Sequence, residues 1–386
     1  AAGMYTSTRS ADLAVKGRRK QPAPPLPAGE SLDSMLGRAS IVTGSCLTGY
    51  LIAHGMCLLP SIALSKLSKC RKVGGTALEN RSNADGGSVT AIKMLSARSQ
   101  AAMLGFGPDT LAPQLMYQLS LFPKGIFGSW SMSRAALALV RLHYYLTRRL
   151  YNDQIAFLMR DRMPFGEIAF AQARTCWLDD VCLSFADKHA NTPCNLVILG
   201  AGYDTRCYRL ALHLQVRCFE VDAPGTQAEK KAVLSRARIP MERVKLVSVD
   251  FAEESWLEKL EASGFDGKLP TCFVFEGVVY YLPRSVVEST LKLVSKQGKG
   301  SVIGFDWFGP WSQSELAKKS TKAASEPWLW CVESDSDLSA LVQGAGLSLK
   351  ENLKHTELIE RYLPTHVDGR PLGHLDDFGG FALAGC

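Results

Sequence analysis

The 386-residue sequence has 11 cysteines but no Cys-x-x-Cys pair, and the count is odd. Those two facts indicate neither a zinc ribbon nor a closed disulfide framework. Cys194, Cys218 and Cys272 lie inside apolar runs, where a free thiol behaves as a small hydrophobe, so reduced buried thiols are expected. The seven histidines (His54, His143, His189, His213, His355, His366 and His374) show no ligand spacing, and no metal is expected. Charge of one sign is barely in excess: 44 Lys+Arg stand against 37 Asp+Glu, a formal +7. Residues 1–128 carry 14 Lys/Arg and 6 Asp/Glu, a balance of +8, while residues 129–386 carry 30 and 31. A nucleic-acid enzyme brings its basic footprint to the catalytic domain, so direct reading of nucleic acid is not expected. With 46% hydrophobic and 21% charged residues, the composition also excludes a disordered, collagenous or polytopic membrane chain.

Residues 39–65 lack formal charge altogether, with Arg38 before them and Lys66, Lys69, Arg71 and Lys72 after. The stretch is long enough for a helix to cross a bilayer of roughly 30 Å, with the flanking cations as interfacial anchors. Gly44, Gly49, Gly55, His54 and several Ser/Thr make it only moderately apolar. Three readings stand: a transmembrane or interfacial helix, which is placed first, a helix buried against a partner protein, and the remnant of a targeting sequence. Residues 1–38 form a basic, Pro-rich arm, with Lys16, Arg18, Arg19 and Lys20 ahead of a proline run that favours polyproline II. Residues 39–72 are the uncharged segment and its basic flank, and residues 73–128 read as a Gly/Ser/Asn-rich linker followed by short helices. The first residue is Ala rather than Met, from which processing is expected. Together these features predict contact with a large protein assembly through residues 1–128 and with a membrane at 39–65. The setting expected is an organelle, a mitochondrion ahead of a plastid.

From about residue 129 the pattern changes. Short β-branched runs (Cys194–Leu199, Val216–Val221, Val244–Val249, Thr271–Phe275 and Ser301–Phe305) alternate with helical stretches at Gln227–Ala237, Glu253–Ala262 and Pro283–Lys296. Strand–helix alternation of this kind predicts an α/β fold: a doubly wound, mostly parallel sheet covered by helices on both faces. Ligands of such sheets bind beyond the carboxyl ends of the strands, at the switch point of the topology.

The first strand runs into Leu199-Gly200-Ala201-Gly202-Tyr203-Asp204-Thr205-Arg206. Gly200 and Gly202 let a backbone approach a ligand closely. Asp222 stands 20 positions after Gly202, at the end of the next strand, where a carboxylate accepts from ribose hydroxyls. The third glycine of the dinucleotide fingerprint is missing, since position 205 is Thr, which favours an adenosyl ligand without phosphates. Asp250-Phe251 and Glu276 follow the third and fourth strands, so three successive strand ends offer carboxylates on one rim. A single one would read as a helix cap or solvated turn; the three together after a Gly-x-Gly turn read as a binding site.

Leu199–Leu210, Glu220-Val-Asp-Ala-Pro224, Val249-Asp-Phe251 and Phe275-Glu-Gly-Val-Val-Tyr-Tyr-Leu-Pro283 resemble the leucine carboxyl methyltransferase family of S-adenosylmethionine-dependent enzymes. The similarity takes in Tyr151–Ala156, Ala173-Arg174-Thr175 and Asp179-Asp180 upstream, and Glu360–Leu363 and Phe378–Ala384 downstream. It covers roughly residues 129–386, and residues 1–128 lie outside it. The resemblance implies a seven-stranded Rossmann-like methyltransferase sheet with an N-terminal extension, and S-adenosylmethionine as cofactor. It also implies that Arg174 pairs with the methionine carboxylate and Glu276 with the amino group. Gly200, Ala201 and Gly202 would line the methionine and ribose portion, Asp222 would hold the ribose, and Asp250 with Phe251 the adenine. The family draws a further cation from the segment before the first strand, for which Arg134 and Arg141 are candidates. Arg206 is expected to brace the glycine loop.

If the acceptor is a carboxylate, as the resemblance implies, it is ionised at pH 7 and needs no general base. Tyr280, just beyond Glu276, is the candidate for a group facing the acceptor; a core aromatic is the competing reading. Two functions stay open at this level. One is methyl transfer to a carboxylate or another oxygen nucleophile. The other is a methyltransferase-like accessory subunit of an organellar membrane complex that performs no turnover.

Overall fold

The computed structural model describes residues 88–119 and 165–386, apart from 211, 214, 252, 324–325, 366–368 and 370, together with residues 142 and 145. The basic arm, the uncharged stretch 39–65, Tyr151–Ala156, Arg134 and Arg141 lie outside the described residues. Among the described residues no helix is long and apolar enough to cross a membrane.

In chain order the elements are α1 (Val89–Met103), α2 (Ala112–Gln118), α3 (Glu167–Lys188), β1 (Cys194–Leu199), α4 (Arg206–Arg209), β2 (Val216–Asp222), α5 (Pro224–Ala237) and β3 (Val244–Ser248). They continue with α6 (Trp256–Ala262), β4 (Thr271–Phe275), α7 (Arg284–Val294), β5 (Val302–Phe308) and α8 (Glu315–Ala323). The last are α9 (Asp335–Gly344), β6 (Ser348–Leu353), α10 (His355–Tyr362) and β7 (Gly379–Gly385). The seven strands lie in the order β3-β2-β1-β4-β5-β7-β6. The first five are parallel, and β7 runs antiparallel between β5 and β6.

All six residues of β1 are buried, which is why this central strand is a continuous apolar run rather than an alternating one. One face of the sheet is covered by α3, through Trp177, Leu178, Val181 and Phe185, together with α10. The opposite face is covered by α6, α7 and α9, through Trp256, Leu260, Val287, Leu291, Leu338 and Leu341. Cys194, Cys218 and Cys272 are free thiols buried in the first of these layers.

Several boundaries differ from those read in the sequence, each for a local reason. Strand β5 continues to Phe308 because its whole length pairs with β7, from Val302 on Gly385 to Phe308 on Gly379. Helix α5 starts at Pro224, whose fixed φ and missing N–H suit the first turn. Helix α6 starts only at Trp256, because the Ser255 hydroxyl caps it by accepting from Glu258 N. The glycine loop is followed by the single turn α4. Residues 88–119, which fall in the stretch read as a linker followed by short helices, hold the helices α1 and α2. Leu95 of α1 and Leu115 of α2 are fully buried with Val233 and Leu234 of α5, and that packing holds both helices against the sheet domain.

Candidate functional site

The strand order reverses between β1 and β4, so a crevice is expected beyond their carboxyl ends. After Leu199 the chain turns through Gly200 at φ 68° and Gly202 at φ 42°, conformations that glycine adopts without steric cost. A Cβ on Gly200 would fall 2.3 Å from Cγ2 of Val278, beyond β4. A Cβ on Gly202 would meet the Cβ of Ala91 at 3.3 Å, so the first turn of α1 lies on the glycine loop. The amides of Gly200 and Ala201 both donate to the carbonyl of Val221, at 2.8 and 3.0 Å. Asp222 Oδ2 accepts from the Gly202 amide at 2.5 Å, and Oδ1 from its neighbour Ala223 at 2.6 Å. Burial lifts the Asp222 carboxyl above its ordinary range, and the two amides oppose that shift.

Across the switch point, Glu276 follows β4 and sits between two guanidinium groups: Arg174 Nε at 3.0 Å and Arg206 Nη1 at 2.5 Å. Burial disfavours its charge, but Arg206, Arg174 and Arg98 outweigh that and hold it well below the usual carboxylate range. Arg174 reaches the other way to Asp306 of β5, Nη1 to Oδ2, at 2.6 Å. Asp306 also accepts from the Tyr280 hydroxyl at 3.1 Å and from the Gly277 amide at 2.6 Å. Arg206 contacts Asp204 and, at 3.1 Å, Asp179, whose carboxylate also takes Arg209 at 2.6 Å. From α1, Arg98 donates to the Tyr203 carbonyl at 2.8 Å and pairs with Asp109 at 3.4 Å. Arg98, Asp109, Arg174, Asp179, Asp204, Arg206 and Asp306 are buried and Arg209 and Glu276 partly so, and each guanidinium has at least one carboxylate partner, the condition under which buried charge is tolerated.

The structure therefore gathers Arg174, Gly200, Ala201, Gly202, Asp222 and Glu276 at the carboxyl ends of β1, β2 and β4. Asp250 and Phe251 follow β3 on the same edge of the sheet; Asp250 is exposed, and Phe251 is half-buried against the cluster that holds Val221 and Val249. Tyr280 is buried in a 3₁₀ turn, its ring stacked on Phe308 at 4.1 Å between centroids. Burial and the charge of Asp306 push its phenol well above the ordinary range, so it stays protonated at neutral pH. Arg206 braces the loop through Asp204 and Glu276.

Sequence reasoning missed Asp306 and Arg98. A lone acid within the buried run Val302–Phe308 was the available signal for the first. A lone Arg among Leu95, Ala97 and Ala101, all buried, was the signal for the second. With Arg98 the N-terminal helices supply a buried cation beside the glycine loop.

The model of the leucine carboxyl methyltransferase family matches residues 138–295, which contain β1 to β4 together with Arg174, the glycine loop, Asp222 and Glu276. A protein of Streptomyces coelicolor, provisionally named an S-adenosyl-L-methionine-dependent methyltransferase, is 32% identical over 230 residues, 57% of this chain and 77% of its own length. A protein of Mycolicibacterium gilvum with the same provisional name is 31% identical over 251 residues, 60% of this chain and 80% of its own. A solved structure of a provisionally named methyltransferase from Thermobifida fusca aligns over 78% of this chain and 96% of its own, at 15% identity and a TM-score of 0.45. On the sequence similarity, this chain belongs to the leucine carboxyl methyltransferase family, whose members are S-adenosylmethionine-dependent methyltransferases.

Proposed function

We propose that this protein transfers a methyl group from S-adenosylmethionine to an oxygen nucleophile, with a carboxylate as the preferred acceptor. The observation that carries the reading is the junction of Gly202 and Asp222 at the switch point, with the Arg174–Glu276 pair beyond the neighbouring strand β4. The residues fit the cofactor. Gly200 and Gly202 bring backbone, without side chains, to the crevice. Asp222 spends its two bonds on amides, and a carboxylate has lone pairs to accept further donors such as ribose hydroxyls. Glu276, held ionised, is the natural partner of an ammonium group, and Arg174 of a carboxylate. Arg98 adds a second cation near that end. Asp250 and Phe251 would border the adenine.

Held by Asp222, Arg174 and Glu276, S-adenosylmethionine would supply an electrophilic methyl group, its sulfonium becoming a neutral thioether as the acceptor oxygen takes the methyl in line. A carboxylate acceptor is ionised at pH 7 and needs no base. Tyr280, protonated and bonded to Asp306, does not act as one. The work of the protein is then alignment and exclusion of water, through which effective molarities become large. The accessory-subunit alternative has no observation in its favour.

The test is transfer of labelled methyl to acceptors bearing a carboxylate, a phenol or an alcohol, followed by alkaline treatment. Label released as methanol marks an ester, the expected result. Alkali-stable label on an oxygen would contradict the carboxylate preference, and failure to bind the cofactor would contradict the whole reading.

A further inference from the structure

We propose that Asp306 is a positioning residue for the cofactor site: it fixes the Arg174 guanidinium in the orientation that receives the amino-acid end of the ligand. This rests on the cofactor reading above and extends it to a residue in the middle of the sheet. Asp306 is fully buried on β5, so its charge needs protein partners, and it has three. Oδ2 takes Arg174 Nη1 at 2.6 Å and the Tyr280 hydroxyl at 3.1 Å, while Oδ1 takes the Gly277 amide at 2.6 Å.

Those three donors come from two separate parts of the site. Arg174 belongs to α3, and Gly277 and Tyr280 to the turn after β4 that also carries Glu276. The guanidinium lies along Gly277: a Cβ there would sit 3.3 Å from Nη1 and 3.6 Å from Nη2 of Arg174. Asp306 thus holds both the guanidinium and the stretch of backbone that it lies on. Gly277 is at φ 69°, a conformation that suits glycine at this close approach.

Charges alternate along the chain of contacts. Asp306 holds Arg174, Arg174 holds Glu276, Glu276 holds Arg206, and Arg206 holds Asp204 and Asp179. Each end anchors the middle. Without Asp306, the nearest carboxylate left to Arg174 is Glu276, and a guanidinium prefers to engage a carboxylate with two parallel bonds. Arg174 would then rotate onto Glu276, and both would be lost to a ligand. With Asp306 in place, Arg174 contacts Glu276 through Nε alone and Asp306 through Nη1.

The experiment compares two ligands that share the adenosine and thioether but differ in the amino-acid end. S-adenosylhomocysteine carries that end, and 5′-methylthioadenosine lacks it. Affinities of the full chain for both are measured by calorimetry, in the wild type and in Asp306→Asn. The expected result is about a tenfold or greater loss for S-adenosylhomocysteine, with the affinity for 5′-methylthioadenosine changed by less than about twofold, the scale of one charge-assisted bond. Equal losses for both ligands would mean that Asp306 supports the fold only, and would overturn the proposal. So would an unchanged ratio. Should Asp306→Asn fail to fold, Tyr280→Phe removes one donor from the same oxygen and leaves the charge in place. It is expected to change the ratio by about two- to fivefold, and no change would overturn the proposal. If the wild type binds neither ligand, the cofactor reading itself fails, a result distinct from a wild type that discriminates the two through residues other than Asp306.

Discussion

The carboxylate of Asp222 accepts from the amide of Gly202 at 2.5 Å, so the loop after the first strand and the end of the second are joined by a side chain as well as by the sheet. The neighbouring amides of Gly200 and Ala201 bond instead to the main-chain carbonyl of Val221. The two anchors are separable. In Asp222→Ala the Gly202 amide is expected to lose its protection from hydrogen exchange while those of Gly200 and Ala201 keep theirs. Equal loss at all three positions would show that the loop depends on Asp222 as a whole.

Gly200 has two reasons to be glycine, and they can be told apart. Its positive φ costs another residue about 1–2 kcal/mol, and a Cβ would overlap Val278. Gly200→Ala is expected to lower stability by more than the conformational cost alone. Adding Val278→Ala should restore the steric part and leave the rest. Denaturant unfolding of the two variants checks this; a double variant no better than the single one would remove the collision from the account.

Arg98 is predicted to matter to the ligand, although it lies in the N-terminal stretch outside the family resemblance. Arg98→Ala removes a buried cation that acts on Glu276 and ties α1 to the Tyr203 carbonyl. The expected outcome is a loss of affinity for S-adenosylhomocysteine of about tenfold or more, together with about 1–3 kcal/mol of stability. Affinity unchanged beside reduced stability would confine Arg98 to the fold.

Two residues before Asp222, Glu220 of β2 is fully buried and pairs with Lys230 of α5 at 2.7 Å. Burial pushes its carboxyl up to about 7 from 4.5, against the opposing pull of Lys230. A carboxyl raised in the folded state binds its proton more tightly there than in the unfolded chain. Its contribution therefore favours folding below about pH 4.5 and is lost as pH rises toward about 7. Relative to the double variant Glu220→Gln with Lys230→Met, the wild type should lose stability between those values and run parallel above them. Melting temperatures across pH 4–8 test this, and a constant offset throughout would contradict it.

Much of this was legible in the sequence because one-dimensional signals carry it. The buried runs of β1 and β4, the two glycines, and the acids at strand ends are local patterns, and the strand positions they imply are found at Cys194–Leu199 and Thr271–Phe275. Asp306 was not legible: its partners lie 132, 26 and 29 residues away in sequence, and only the sheet order brings β5 beside β4. Arg98 was missed for a similar reason, since its contact with Tyr203 spans 105 positions. The antiparallel strands β6 and β7 carry no parallel-sheet signature, and β7 holds three glycines. Composition alone likewise gave no sign that α1 and α2 pack into the domain, because their burial depends on α5.

The most direct test of the account is a calorimetric titration of the full chain with S-adenosylmethionine, repeated on Asp222→Ala. The account predicts saturable binding at one site in the wild type and a loss of at least about tenfold in the variant. Absence of binding to the wild type, or equal affinity in the two proteins, would contradict it.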